Sequence, residues 1–404
     1  MNPKIQQNTL QTRERGITIS LLILCLFFQA IGMGALSLFL PIIRGDLGWS
    51  FTQAGTLAAS STLVYALAQI PTGYLADRFG PKRLFFIGIL GTTTLILIFG
   101  LISQYWQALA NQTLSGFFRA LLFAPGMALI TAWFSPERRA TAMALHLSGI
   151  FGGALLLNII GPLLVANFDW RFPFVTFGLM GMIISLTYLR FSKEAPHAGS
   201  QQKVNIFDIL RLFRSRFMWL CCVIQYSRLA VLTGITFWLP TLLIDDRGLS
   251  LQITGLIIAF RSLLIGPSSL VGGYISDKLR NPPVVIGFSF TILAITTALL
   301  VVVNNVVLFV VLIGINSLFV NCYFGPVFTL PLEILGSHVK ATATGAGNFF
   351  ANLGGFTFVY LLGALRDSSG SFETGFYAIA GAAVVGLVFT IVLARVRRNN
   401  MSKM

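Results

Sequence analysis

The sequence reads GYLADRF at residues 73–79 and GYISDKL at residues 273–279, an offset of 200 positions (273 − 73). Other short matches keep nearly the same offset, including Pro41 with Pro240 and Pro125 with Pro326. One long unit therefore occurs twice in the chain. In an apolar chain, such a duplication is typical of membrane transporters.

The composition excludes a water-soluble globule. Hydrophobic residues make up 55% of the 404 residues and charged residues only 10%, whereas roughly a quarter are charged in ordinary soluble domains. Apolar runs long enough to cross about 30 Å of hydrocarbon recur along the whole chain. We place twelve spans at residues 17–40, 51–75, 84–102, 108–134, 140–165, 172–191, 217–244, 251–276, 284–303, 306–334, 341–365 and 375–394.

The expected fold is an all-α integral membrane protein with twelve transmembrane helices in two pseudo-symmetric six-helix bundles. The first bundle covers residues 1–191 and the second covers residues 216–404. Between them, residues 192–215 form a basic and polar cytoplasmic linker. We expect a multi-pass monomer in the lipid bilayer of the cytoplasmic membrane.

The net charge of +15 reflects the predicted membrane topology. Lys and Arg concentrate near the N-terminus, around Arg78, in the stretch from Arg190 to Arg216 and near the C-terminus, so all of these segments and both termini are predicted to be cytoplasmic. This distribution argues against a nucleic-acid partner. The four cysteines lie in apolar spans without metal-ligand spacing, and we expect no metal and no cofactor. Since the chain shows no paired nucleophile and base and no phosphate loop, we do not expect an enzyme.

Residues Gly73–Arg83 closely resemble the loop 2–3 motif of the major facilitator superfamily, and Gly273–Arg280 is similar to its loop 8–9 counterpart. Arg119 matches the family's helix 4 arginine. The resemblance covers essentially all twelve spans. It implies two bundles that rock around a central cavity, which opens alternately to each side of the membrane.

The resemblance also implies a conformational latch on the cytoplasmic side. Asp77 can accept hydrogen bonds from helix N-terminal amides of the opposite bundle, where negative charge is favoured. Arg78, Lys82 and Arg83 can pair with carboxylates such as Glu137, and for Arg83 a purely topological role explains the residue equally well. The predicted latch residues are Gly73, Asp77, Arg78, Gly80, Lys82, Glu137 and Asp277.

Three further segments, at residues 133–139, 237–240 and 341–345, look most like organic-anion symporters and their relatives. Arginines near mid-span agree with that branch. Arg119, Arg228 and Arg261 lie far from any helix end in the predicted spans, and a charge at that depth costs at least about 2.5–3.5 kcal/mol. Because a guanidinium binds carboxylates bidentately, we predict an anionic substrate. A structural or coupling role is the alternative for Arg119.

Neutral polar side chains at similar depths complete the predicted substrate site, although such residues also join helices to one another. Asn348 and Asn352 are four residues apart and share a helix face. The full predicted set is Arg228, Arg261, Arg119, Gln29, Tyr65, Tyr226, Asn321, Tyr323, Asn348 and Asn352.

Uptake of an anion against the membrane potential costs about 2.3 kcal/mol per charge per 100 mV. It therefore needs protons or a counter-anion as a second transported species. The candidate proton carriers are His146, whose imidazole suits switching near neutral pH, and Glu333 at the end of helix 10. A packing role is the alternative for His146, and a gate salt bridge is the alternative for Glu333.

The sequence leaves three functions open. The first is a secondary transporter of a small organic anion, with protons as the first candidate for the coupled ion. The second is an exporter of drugs, or of an anionic metabolite or siderophore. Cationic drug export is disfavoured because the first six spans contain no acidic residue. The third is a membrane sensor that does not transport, which would not require an intact Asp77 loop.

Overall fold

The computed structural model describes residues 3–134, 138–193, 215–327, 330 and 340–401. Within these ranges there is no strand, and the main elements are twelve α-helices. In chain order they are α1 (Pro3–Leu47), α2 (Phe51–Phe79), α3 (Pro81–Phe99), α4 (Tyr105–Thr131), α5 (Arg139–Asn167), α6 (Arg171–Phe191), α7 (Arg216–Thr241), α8 (Leu251–Leu279), α9 (Pro282–Val302), α10 (Val306–Phe319), α11 (Lys340–Ser369) and α12 (Glu373–Met401). A π-helical turn, Leu242–Asp246, continues α7.

The helices have the length and surface of membrane spans. Eleven helical segments of the described residues are long and apolar enough to cross a bilayer. The remaining predicted span is α2, whose 29 residues give a length of about 43 Å. Large apolar side chains face outward along the helices, such as Leu270 at 77% exposure and Val307 at 73%. The predicted all-α membrane fold is confirmed.

Contacts between Cα atoms group the chain into two units. The first comprises Met1–Ile43 and Leu67–Gln202, and the second comprises Arg44–Ala66 and Lys203–Met404. The end of α1 and the first half of α2 thus cluster with the helices of the second sequence repeat. Most of the predicted linker lies outside the described residues, so the division at residues 191 and 216 stays a proposal.

The duplication seen in the sequence recurs in helix packing. In the first unit, Gly153 of α5 lies so close to the carbonyl oxygen of Phe27 in α1 that an added Cβ would collide with it. In the second unit, Gly354 of α11 has the same relation to the carbonyl of Tyr226 in α7. Small residues let helix backbones approach closely in membranes. The same helix pair is therefore joined in the same way in both copies.

The loops that follow the GYLADRF and GYISDKL stretches also share a backbone conformation. Gly80 has a φ of 82°, and Arg280, at the equivalent position, has a φ of 50°. Positive φ is free of strain for glycine and unfavourable for arginine. The second copy therefore keeps the turn although the glycine that favours it has been replaced.

Helix 10 differs from the single predicted span at residues 306–334. The helix α10 ends at Phe319, residues 320–323 form a turn, and a helical segment restarts at Phe324. Pro326 lies just after this break, whereas α4 continues through its counterpart Pro125. A proline removes one backbone hydrogen bond in either case. The two equivalent prolines thus lie in different local structures.

Candidate functional site

Arg228 lies about midway along α7 and is buried, with 4% of its surface exposed. Its Nε donates a hydrogen bond of 2.8 Å to Oε1 of Gln225, one turn earlier on the same helix. The guanidinium carbon also lies 5.2 Å from the ring centroid of Phe324, within the range of a cation–π contact. Gln225 and Phe324 thereby fix the orientation of the charge.

Arg261 is buried on α8, with 2% of its surface exposed. Its Nη1 donates to Oγ1 of Thr236 in α7 at 2.9 Å. Its Nη2 is buried and has no hydrogen-bond partner among the described residues. A buried guanidinium donor without a partner is costly. A carboxylate or another oxyanion can satisfy this donor, because hydrogen bonds between a guanidinium and an anion are strong.

The hydrogen-bond partners of the two arginines lie at different depths along α7. Their partners Gln225 and Thr236 are 11 residues apart (236 − 225), which corresponds to about 16 Å along the helix axis. The sequence places both arginines near mid-span, and the structure shows that their hydrogen-bond partners are separated by about three helical turns. One small carboxylate therefore cannot bridge these two partners.

The segment after α10 supplies a phenol near Arg228. Tyr323 is fully buried, and its Oη has no hydrogen-bond partner in the part of the chain that the structure describes. Its ring packs against Phe290 of α9 with centroids 5.0 Å apart. The neighbouring Asn321 is half-buried. The break in helix 10 thus places predicted site residues in a turn and not on a regular helix.

The other predicted polar residues of the second unit have structural contacts. The Asn352 amide donates to the carbonyl of Asn348 at 2.8 Å, so this donor is used within α11. Tyr226 is half-buried and packs edge-on against Phe358, with ring centroids 6.3 Å apart. Tyr65 in α2 is also half-buried.

The first unit holds the remaining predicted groups. Gln29 in α1 and Arg119 in α4 are half-buried. His146 in α5 is fully buried, and neither ring nitrogen has a hydrogen-bond partner among the described residues. Its ring lies edge-on to Phe123, at 6.2 Å between centroids. The second candidate proton carrier, Glu333, lies outside the described residues.

The structure describes part of the predicted latch. Gly73 lies within α2 and Gly80 follows it, and Asp277 and Arg78 are exposed. Lys82 donates to the carbonyl of Ser192 at 2.6 Å. Glu137 and the side chain of Asp77 lie outside the described residues, so the contacts predicted for them stay predictions.

Two residues of this site, Gln225 and Thr236, are absent from the set predicted from sequence. Gln225 precedes Arg228 by three residues, and helical spacing of this kind puts two side chains within reach of each other. The sequence therefore carries a signal for this pair. Thr236 contacts Arg261 across two helices, and nothing in the local sequence of either helix indicates the pair.

A family model for the Major Facilitator Superfamily matches residues 22–359. The hexuronate transporter of Bacillus subtilis is 25% identical and covers 89% of this chain and 90% of its own length. The D-galactonate transporter of Escherichia coli O6:H1 is 22% identical, with 96% and 97% covered. The "Probable sulfoacetate transporter SauU" of Cupriavidus necator is 24% identical, with 92% and 91% covered.

Solved structures agree on the fold. A bacterial homolog of the human lysosomal transporter Spinster superposes with a TM-score of 0.75 at 16% identity, and the match covers 94% of this chain and 95% of the other. The nucleoside transporter NupG superposes with a TM-score of 0.77 at 13% identity, with 95% and 99% covered.

Proposed function

Because the chain belongs to the Major Facilitator Superfamily, we propose that it is a secondary active transporter that moves a small organic anion across the cytoplasmic membrane by alternating access. It is a multi-pass membrane transporter and not an enzyme. The Lys and Arg distribution supports cytoplasmic termini. The substrate proposed first is a carboxylate, such as a sugar acid.

The burial and hydrogen bonding of Arg261 give the proposal its main support. Its charge is buried, one of its terminal nitrogens is held by Thr236, and the other has no hydrogen-bond partner among the described residues. An anion that accepts from Nη2 would remove the cost of this buried donor. Because charge-assisted bonds to a guanidinium are stronger than neutral ones, the site would select an acid over the corresponding neutral molecule.

Arg228 is the second residue that we propose to contact the anion. Gln225 occupies its Nε, and Phe324 lies against the guanidinium. Arg228 would thus present its terminal nitrogens in a fixed orientation. A rigid, preoriented donor loses less conformational entropy on binding than a freely rotating one.

The relatives support this substrate class. Three of them are described as transporters of hexuronate, D-galactonate and sulfoacetate, all of them small molecules with an acidic group. The sulfoacetate transporter makes a sulfonate the second candidate for the bound group, because a guanidinium fork accepts either oxyanion. An exporter of an anionic metabolite would use the same arginines in the opposite direction.

Coupling to protons is the remaining part of the proposal, with His146 as the carrier. Both of its nitrogens lack partners within the described residues, so a proton bound there would not compete with an existing hydrogen bond. Exchange for a counter-anion is the alternative, and it requires no titratable group in the membrane.

Uptake by proteoliposomes tests the proposal. The purified chain would be supplied with labelled hexuronates, aldonates, aldarates and sulfoacetate under an imposed pH gradient, and then with the gradient collapsed. We expect saturable uptake of at least one acid, driven by the gradient and absent for the corresponding neutral sugar. Uptake of none of these acids, or equal uptake of the neutral sugar, would contradict an organic-anion transporter.

A further inference from the structure

The side chain of Thr236 joins the buried charge of Arg261 to the backbone of α7. Its Oγ1 accepts a hydrogen bond from Nη1 of Arg261 at 2.9 Å and donates one to the carbonyl oxygen of Leu232 at 2.5 Å. A hydroxyl has a single proton. Because this proton is used within α7, the oxygen faces the guanidinium as an acceptor, and the direction of both bonds is fixed.

These groups form a chain of hydrogen bonds in a buried part of the second unit. Arg261 has 2% of its surface exposed, and Ile235 and Phe237, on either side of Thr236, have 1% and 8%. Hydrogen bonds in series polarise one another, and each is stronger where water is excluded. The bond from Thr236 to the Leu232 carbonyl therefore makes Oγ1 a better acceptor for the cation than an isolated hydroxyl would be.

Thr236 is also the point at which this part of α7 is accessible. From Gly234 to Thr241 every residue is buried except Thr236, which is exposed. In α8, Arg261 is buried, whereas the preceding Phe260 is exposed. An anion that approaches Arg261 along α7 therefore meets the side chain of Thr236.

The bond from Thr236 determines which donor of Arg261 remains for a ligand. Nη1 is bonded to Oγ1, whereas Nη2 is buried and has no hydrogen-bond partner among the described residues. A guanidinium is planar, and its N–H groups have fixed relative directions. Once Nη1 is held, the direction of Nη2 is fixed as well. A preoriented donor loses less conformational entropy on binding than one that must first be ordered.

The bond within α7 would by itself be an ordinary feature of this fold. Thr291 in α9 and Thr357 in α11 also donate to a carbonyl four residues earlier, at 3.0 Å and 2.8 Å. Such bonds satisfy a hydroxyl inside a helix. Of these three threonines, only Thr236 also accepts from an arginine in the part of the chain that the structure describes. The contact with Arg261 is thus what sets Thr236 apart.

The first sequence copy contains the hydroxyl but not the charge. At the offset of 199 positions that relates the prolines of α1 and α7 (240 − 41), Thr236 is equivalent to Ser37. Arg261 is equivalent to Ser61. A hydroxyl at this place is therefore common to both copies, while the arginine occurs in the second. Serine at the equivalent position indicates that this helix accepts either hydroxyl residue there.

We propose that Thr236 is a positioning residue for anion recognition: its hydroxyl holds Nη1 of Arg261 so that Nη2 meets the acidic group of the substrate. Thr236 thereby sets the preference of the site for an acid over its neutral counterpart. The proposal rests on the proposed function, because it gives Thr236 a part in the recognition of an organic anion. Since Thr236 acts through Arg261, its loss should weaken the binding of acids and leave the binding of neutral molecules unchanged.

Binding measured by calorimetry tests this role in the purified parent and its variants. The probes are a hexuronate with the corresponding hexose, and an aldonate with the corresponding alditol. Thr236→Val removes the hydroxyl and keeps the shape of the side chain, and Thr236→Ala removes the hydroxyl in a smaller side chain. Because a hydrogen bond to a charged group is lost, we expect the preference for the acid to fall about tenfold in each. An acid preference equal to that of the parent in both variants would overturn the proposal.

Two further variants serve as controls for the loss of the hydroxyl. Thr236→Ser keeps an acceptor for Arg261 and should retain the acid preference of the parent to within about twofold. Thr291→Val removes the same kind of helix bond in α9, and should bind the acids like the parent. A tenfold fall in Thr236→Ser or in Thr291→Val would contradict a specific role for the bond from Thr236 to Arg261.

A double-variant cycle separates positioning from a general effect on the fold. Arg261→Ser already lacks the guanidinium, so the addition of Thr236→Val should change the acid preference by less than about twofold. In uptake, Thr236→Val should raise the half-saturating acid concentration about tenfold and keep the maximal rate within about threefold, because binding alone is weakened. An effect of equal size with and without Arg261, or a lower maximal rate at unchanged half-saturation, would overturn the proposal.

The same measurements distinguish failure of this proposal from failure of the proposed function. If the parent takes up an acid in preference to its neutral counterpart and Thr236→Val does so equally well, Thr236 has no part in recognition, and organic-anion transport still stands. If the parent neither binds nor transports any of these acids in preference to the neutral compound, the proposed function is contradicted, and the role of Thr236 falls with it.

Discussion

Helices α7 and α8 hold the same places in the second repeat that α1 and α2 hold in the first, but among the side chains that the structure describes in these four helices, buried charge occurs in α7 and α8 alone. Arg228 is equivalent to Gln29, and Arg261 is equivalent to Ser61. The scaffold of the two pairs is alike, since glycines of α5 and α11 contact α1 and α7 in the same way. The features that build the fold thus occur in both copies, while the charges that would recognise an anion occur in one.

The largest expected effect on anion uptake comes from replacing Arg228 and Arg261 by the residues at the equivalent positions of the first copy. Arg228→Gln and Arg261→Ser install the residues that the first copy already accommodates, so the fold should be kept. Removing one member of a buried charged contact costs about 2–5 kcal/mol, and we expect anion uptake to fall about 30-fold or more in each variant. Initial rates in proteoliposomes measure this.

Arg190→Gln is the control for that experiment, because Arg190 is an exposed arginine at the end of α6. Its uptake should match the parent. If Arg228→Gln and Arg261→Ser both transport like this control while remaining folded, the difference between the two helix pairs has no bearing on the substrate.

The shared glycines should matter in both copies. Gly153→Val and Gly354→Val each place side-chain atoms against a neighbouring backbone carbonyl, and overpacking of this kind typically costs about 1–3 kcal/mol. We expect a lower thermal unfolding midpoint for each in detergent. Gly381→Val, at an open position on α12, should have little effect. A midpoint lowered in one copy alone would show that the packing is not equivalent.

His146 lies in α5 of the first unit. If it carries a proton, uptake by the parent should increase as the external pH falls from about 8 to 6. His146→Gln should reduce that increase to less than about twofold and should abolish substrate-driven alkalinisation of the medium. His197→Gln provides a histidine control. A parent-like pH profile in His146→Gln would leave counter-anion exchange as the coupling mode.

The smallest effect is expected at Lys82. Its bond to the Ser192 carbonyl joins the start of α3 to the end of α6 within one unit. Such partly exposed contacts contribute about 1 kcal/mol or less. Lys82→Gln should therefore change the transport rate less than about fivefold, compared with Arg83→Gln at an exposed neighbour. A loss as large as that of Arg261→Ser would mean that the cytoplasmic loop limits transport.

Much of the fold could be predicted because its signals are local or periodic. The repeat of GYLADRF gives the duplication, and the apolar spans give the helices, since each span must satisfy its own backbone hydrogen bonds in lipid. The break after Phe319 was not predicted, because residues 306–334 as a whole are apolar enough for one span and the helix-breaking Gly325 and Pro326 come only after the turn. Arg280 likewise keeps a turn that its residue type disfavours.

The sequence predicts the charged residues of the site but not the contacts that they make. Arg228 and Arg261 stand out in apolar helices, so their cost identifies them without a structure. Thr236, which fixes Arg261, is an ordinary residue in a different helix. Asp367 likewise follows the predicted span at residues 341–365. Its carboxylate nevertheless accepts a hydrogen bond from the backbone amide of Thr52 in α2, 315 residues away along the chain. Contacts of this kind depend on tertiary packing, which one sequence does not reveal.

Recognition of the substrate's charge by Arg261 is tested most directly by the discrimination between an acid and its neutral counterpart. Binding of a hexuronate and of the corresponding hexose would be measured by calorimetry for the purified parent and for Arg261→Ser. We expect the parent to prefer the acid by about 100-fold, corresponding to about 2.8 kcal/mol, and the variant to lose most of that preference. An equal preference in both proteins would contradict the claim that the buried arginine recognises the substrate's charge.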